Sequence, residues 1–86
     1  MATILRRRQV EAETGNSRSG IYEQIEAGLF TRSVKIGARA VGWPADEVQA
    51  IAAARIAGLE DGEIRELVQQ LHARRAERFA ALVEAE

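Results

Sequence analysis

The side chains able to do chemistry in this sequence are arginines and hydroxyls. There is no cysteine and one histidine, His72, so neither a thiolate nor a His-cluster metal site can form. No Ser/His/acid spacing, phosphate loop or metal constellation occurs. What remains is non-covalent recognition. Arg18 stands between Ser17 and Ser19, with Tyr22 one helical turn further on. A guanidinium presents a planar fork that bonds two acceptors at once, and the three hydroxyls add single hydrogen bonds. Arg32, Lys35 and Arg39 form a second basic set, and Arg6-Arg7-Arg8 a third.

The chain that must position these groups has 86 residues, enough for one small domain. Its apolar fraction is 47%, yet sixteen of those residues are alanines, so the core is thin and an enzyme cavity is hard to build. The expectation is no enzyme, no cofactor, no metal and no small-molecule substrate. No apolar run reaches the roughly 20 residues of a membrane span, and no signal-peptide core opens the chain. A soluble intracellular protein is therefore expected. The net charge of −1 conceals a division. Residues 1–43 carry seven cations against four acids (+3), and residues 44–86 five cations against nine acids (−4). A basic working half followed by an acidic, solubilising tail is one reading, scatter the other.

Glycines punctuate the front half. Residues 3–5 predict a short extended lead-in, and residues 7–14 a helix that Gly15 closes in the left-handed conformation. Ser17 suits the N-cap of a second helix, 18–27, stopped by Gly28. From Val34 the period changes to two: Val34 and Ile36 alternate with Lys35, Val41 and Trp43 with Gly42, around a Gly37-Ala38-Arg39 loop. That pattern predicts a hairpin whose apolar side packs on the helices. Pro44 suits the first turn of a third helix, 45–57, with Val48, Ile51, Ala52 and Ile56 toward the core and Gly58 at its end. Asp61 is expected to cap a fourth helix from 62 onward. Its apolar stripe, Ile64, Leu67, Val68 and Leu71, falters where Arg74, Arg75 and Arg78 crowd the seam, and resumes at Phe79, Leu82 and Val83.

Helix, turn, helix, β-hairpin, helix is the order of a winged helix-turn-helix. The fold class is thus mainly α, a winged helix-turn-helix domain over residues 1–58 with a C-terminal helical extension, 59–86. On the second helix Ile21, Gln24, Ile25 and Gly28 gather on one side, and Ser19, Tyr22, Glu23 and Glu26 on the other, with Arg18 at the flank. A helix seated in a major groove reads base edges from its N-terminal part, so Arg18 can fork onto guanine O6/N7, while Ser19 and Tyr22 suit phosphates. Lys35 and Arg39 would meet backbone or minor groove from the wing, and Arg32, just before it, is a further DNA-binding candidate. Each has a plainer alternative: Tyr22 caps the core with its ring, Arg18 is an exposed helix cation, and Lys35 and Arg39 are polar-face strand residues. Arg6-Arg7-Arg8 read most plainly as a solvated face; because they precede a helix whose macrodipole they oppose, a phosphate contact is the other reading.

Residues 4–57 resemble the AlpA family of prophage transcriptional regulators, relatives of phage excisionases with a MerR-like winged-helix fold. The resemblance is carried by Thr14-Gly15, Ser17-Arg18-Ser19, Ile21-Tyr22, Ala27-Gly28, Phe30, Val34-Lys35-Ile36-Gly37, Arg39-Ala40-Val41, Trp43-Pro44 and Glu47-Val48. It implies sequence-specific binding to double-stranded DNA and control of prophage or mobile-element genes. The recognition helix then falls on Ser17, Arg18, Ser19 and Tyr22, and the wing on Lys35 and Arg39. Gly20 stands where the family often has Thr, and Thr31 and Ser33 stand where prolines stiffen the approach to the wing, which predicts a more mobile connection. Glu23 and Glu26 replace the more usual cations, and Ile51 a frequent aromatic. Two alternatives stand beside the regulator: an excisionase-like architectural DNA-binding protein, and an interaction module that pairs with a second copy or a partner through Ile64, Leu67, Leu71, Phe79 and Leu82.

Overall fold

Local sequence signals set the ends of nearly every element. The computed structural model describes residues 3–84. A short strand, β1 (Ile4–Leu5), leads into α1 (Arg7–Thr14) and α2 (Arg18–Glu26); the wing strands β2 (Val34–Lys35) and β3 (Val41–Pro44) follow, then α3 (Ala45–Ile56) and α4 (Asp61–Glu84). Gly15 takes φ 74° after α1, and the Ser17 hydroxyl accepts the Gly20 N–H at 3.1 Å to start α2. Gly28 and Gly58 close α2 and α3 in the same way. In each case the glycine N–H and the next residue's N–H bond back to two of the last carbonyls of the helix, and the residue after the glycine, Leu29 or Leu59, tucks into the core.

The three strands form one antiparallel sheet in the order β1-β3-β2, with Leu5 opposite Trp43 and Lys35 opposite Val41. The Ile36 N–H bonds the Ala40 carbonyl and closes the Gly37–Arg39 loop as the alternation predicts. The lead-in at residues 4–5 is thereby a third strand of the wing sheet, and it approaches β3 closely at Gly42. A Cβ there would run into Ile4 Cγ2 and stand 2.9 Å from the Leu5 carbonyl oxygen.

One core joins both parts of the chain: Val10, Ile21, Leu29, Phe30, Trp43, Val48, Ile51, Ala54, Ile64, Val68 and Leu71 are buried together. The front half of α4 is part of this core. Three expectations are corrected. Ile56 is 87% exposed, and Ala54 takes its place, because α3 turns its buried face toward Glu47, Val48, Ile51 and Ala54. Ile36 stays exposed on the wing instead of packing on the helices. Asp61 is the first residue of α4 and not its cap; the Glu60 N–H bonds the Glu63 carboxylate at that end, while Asp61 pairs with Arg55 at 3.3 Å. No helix among the described residues is long and apolar enough to cross a membrane.

Gly42→Ala should lower the unfolding free energy by about 1–3 kcal/mol, the usual cost of forcing a methyl into a packed site. Urea unfolding of the two proteins measures it, and an unchanged midpoint would mean that β1 is free to move away from β3.

Candidate nucleic-acid interface

The outward face of α2 follows from its pattern. Ile21 is buried and Ile25 partly so, which turns Arg18, Ser19, Tyr22, Glu23 and Glu26 to solvent. Ser17 spends its hydroxyl on the cap, with the Ser19 hydroxyl 3.4 Å away, so its hydrogen-bonding role is already partly local. Tyr22 does two things at once. It is 41% exposed, and its ring lies 6.4 Å from that of Trp43, tilted by 60°. That contact fastens α2 to β3 and so fixes the angle between helix and wing. Glu23 and Glu26 form no ion pair among the described residues and keep their charge on this face.

The division of charge seen in the sequence is also a division of partners. In the front half Arg7 pairs with Glu11 at 3.0 Å, whereas Arg6, Arg8, Arg18, Lys35 and Arg39 are exposed and enter no ion pair among the described residues. In the back half four of the five arginines, all but the exposed Arg74, are engaged internally. Arg55 bonds Asp61 and Gln24, Arg65 donates to the Ala27 carbonyl at 2.9 Å, and Arg78 pairs with Asp46. Arg75 grips Glu47 with both edges of its fork, at 2.8 and 2.6 Å, and also donates to the Arg32 carbonyl at 2.8 Å. A buried carboxylate needs such satisfaction, and Glu47 is almost fully buried.

These back-half contacts brace the segment between α2 and the wing. Trp43 Nε1 donates to the Thr31 carbonyl at 2.9 Å, Arg75 holds the Arg32 carbonyl, and the Arg32 N–H reaches His72 Nε2 at 3.1 Å. The mobility expected from the missing prolines is therefore not what the structure shows: side chains from α4 and β3 pin the connection instead. The Arg32 guanidinium also lies 3.2 Å from His72 Nδ1. A neutral imidazole has one acceptor nitrogen, so the backbone and the guanidinium of Arg32 compete for it. Arg32 is consequently tied to the brace, unlike Lys35 and Arg39. Glu47, Arg65, His72 and Arg75 were missed as positioning residues. Their one signal was the break in the α4 stripe: Arg75 and Arg78 interrupt it to reach acids on α3.

The residues expected on an interaction helix divide as well. Ile64 and Leu71 belong to their own chain's core and Leu67 packs against it, while Phe79 and Leu82 are exposed at 70% and 65%. No group of three or more acidic, His or Cys side chains suited to a metal occurs among the described residues.

A small sheet wing beside a helix-turn-helix defines a winged helix-turn-helix protein. Residues 3–56 match the family described as prophage CP4-57 regulatory protein (AlpA), and the chain belongs to that regulatory family. It is 48% identical over 48 residues to the uncharacterized protein ORF88 of Enterobacteria phage P4, a similarity that covers 56% of this chain and 54% of the phage protein. The aligned part thus spans about half of that relative's length. No solved structure matches the chain.

Arg75→Ala should cost on the order of 3 kcal/mol, because it strands a buried carboxylate. Arg78→Ala, at an exposed pair, should leave the denaturation midpoint nearly unchanged; equal effects of the two would contradict the role given to burial. A second expectation concerns pH. Burial, reinforced by the charges of Arg32 and Arg75 and opposed by Glu47, holds the His72 imidazole below its ordinary value near 6.5. The unfolded chain then takes the proton first, so this contribution to stability is complete above that value and is lost as pH falls through the lower folded one. The Asp46 carboxyl, held below 3.8 chiefly by its hydrogen bond from Arg78, acts only in more acid solution. The melting temperature should therefore fall as pH drops below about 6.5, and His72→Gln should flatten that slope.

Proposed function

We propose that the chain is a sequence-specific double-stranded DNA-binding transcriptional regulator of a prophage or mobile element. The observation that carries this reading is the face of α2. Arg18, Ser19 and Tyr22 are presented outward from its N-terminal half, held at a fixed angle to the wing by the Tyr22–Trp43 contact. Such a helix fits a major groove, where a guanidinium forked onto guanine contributes roughly 1–3 kcal/mol of base discrimination. Lys35 and Arg39 on the wing lie ready for backbone phosphates. Membership of a prophage regulatory family supports the same conclusion. Glu23 and Glu26 repel phosphates near the groove and limit the strength of a single copy.

A second feature bears on that limit. Phe79, Leu82 and Val83 leave an apolar stripe uncovered at the end of α4, with Val83 at 56% exposure. Pairing of two copies through this stripe would bring two recognition helices to paired half-sites and raise affinity without new contacts.

Selection of bound sequences from random duplex DNA at two salt concentrations tests the regulator reading. A defined motif is expected, with affinity falling steeply as salt rises. Arg18→Ala should relax preference at one or two positions of the motif; absence of any enriched sequence would overturn the reading. Sedimentation of the full chain against Leu82→Glu tests the pairing, which requires the variant to sediment more slowly.

A further inference from the structure

The sheet gathers basic groups that are far apart in the sequence. Because β1 pairs with β3 and β3 with β2, the residues just after β1 come beside the loop of the wing. Arg6, Arg7, Arg8, Arg39 and Val41 line an open surface cleft of about 270 Å³ there. Arg7 is neutralised by Glu11. Arg6, Arg8 and Arg39 are exposed and have no acidic partner among the described residues. The positive end of the α1 dipole adds to the same potential, and no acid stands in the first turn of α1 to offset it. Three unpaired guanidiniums around one cleft repel one another, so the arrangement carries a local cost that folding alone does not explain. An anion between them removes that cost, and a guanidinium fork matches the two free oxygens of a phosphodiester.

We propose that Arg6, Arg8 and Arg39 form a clamp for a backbone phosphate of duplex DNA, an anchor separate from the base-reading face of α2. The proposal rests on the DNA-binding reading above and adds to it a site on the N-terminal lead-in. The clamp reads charge and not sequence, so it acts alike on every duplex. It also ties the wing loop to the start of α1 when DNA is bound, which sets how deeply the wing sits on the backbone.

The test compares binding of the full chain to its selected duplex and to a random-sequence duplex, across a salt series, for the wild type, Arg6→Ala/Arg8→Ala, Arg39→Ala and Arg74→Ala. Arg74 is an exposed cation on α4 outside the cleft, so its removal changes net charge equally per site. The cleft variants should weaken binding to both duplexes by the same factor, on the order of tenfold. The slope of log affinity against log salt should become shallower by about 0.9 for each phosphate that the variant no longer neutralises. Arg74→Ala should keep the wild-type slope. A wild type that binds with cleft variants of unchanged slope overturns the clamp and leaves the regulator reading standing. So does a loss confined to the selected duplex, or an equal loss in Arg74→Ala. A wild type that binds neither duplex overturns both. Folding is monitored by thermal melting: removing cations from the start of α1 should hold or raise the melting temperature, and Arg39→Ala, in the wing loop, gives an independent reading.

Discussion

The indole of Trp43 is the contact on which the other parts of the domain depend. It is fully buried, with its N–H donated to the Thr31 carbonyl and the rings of Tyr22 and Phe30 both 6.4 Å away. Through one side chain the strand β3, the helix α2 and the segment joining them are held in a single arrangement. A large aromatic contributes much buried area in a core otherwise padded with alanine. Its polar N–H meets a backbone carbonyl that no secondary structure would satisfy. The wing sheet has only two to four residues per strand, too little to be stable alone, and so its position is set by this residue.

The fourth helix acts on the same segment from the other side. Arg65 holds the last carbonyl of α2, Arg75 and His72 hold the backbone at Arg32, and Ile64, Val68 and Leu71 complete the core. The extension is therefore structural as far as Arg75. Its last turns leave Phe79, Leu82 and Val83 exposed.

Most of the backbone was legible in the sequence because its signals are local. Gly15, Gly28 and Gly58 sit where left-handed backbone ends a helix, and Ser17 caps the next one. The hairpin loop lies where the period changes. The outward face of α2 follows from the spacing of Ile21 and Ile25. What periodicity could not show is the match between partners distant along the chain. Glu47 looks like an ordinary first-turn acid on a helix, and only the arrival of Arg75, 28 residues later, makes it a buried one. The face of α3 that buries Glu47, Val48 and Ile51 also carries Ala54 inward and leaves Ile56 outward. Likewise the missing prolines before the wing suggested looseness, because the hydrogen bonds that replace their stiffness come from His72, Arg75 and Trp43. The convergence of Arg6 and Arg8 with Arg39 depends on the β1–β3 pairing, which two residues of strand could not announce.

The separate fates of the arginines have a consequence for how such a chain can change. Those of α3 and α4 are committed to folding, each tied to a carboxylate, a side-chain amide or a backbone carbonyl, apart from Arg74. The side chains of those in the front half, Arg7 and Arg32 aside, have no partner among the described residues. Substitution at Arg18, Lys35 or Arg39 therefore leaves the scaffold intact while altering what it meets. A library varied only at those positions would be expected to express as folded protein almost throughout.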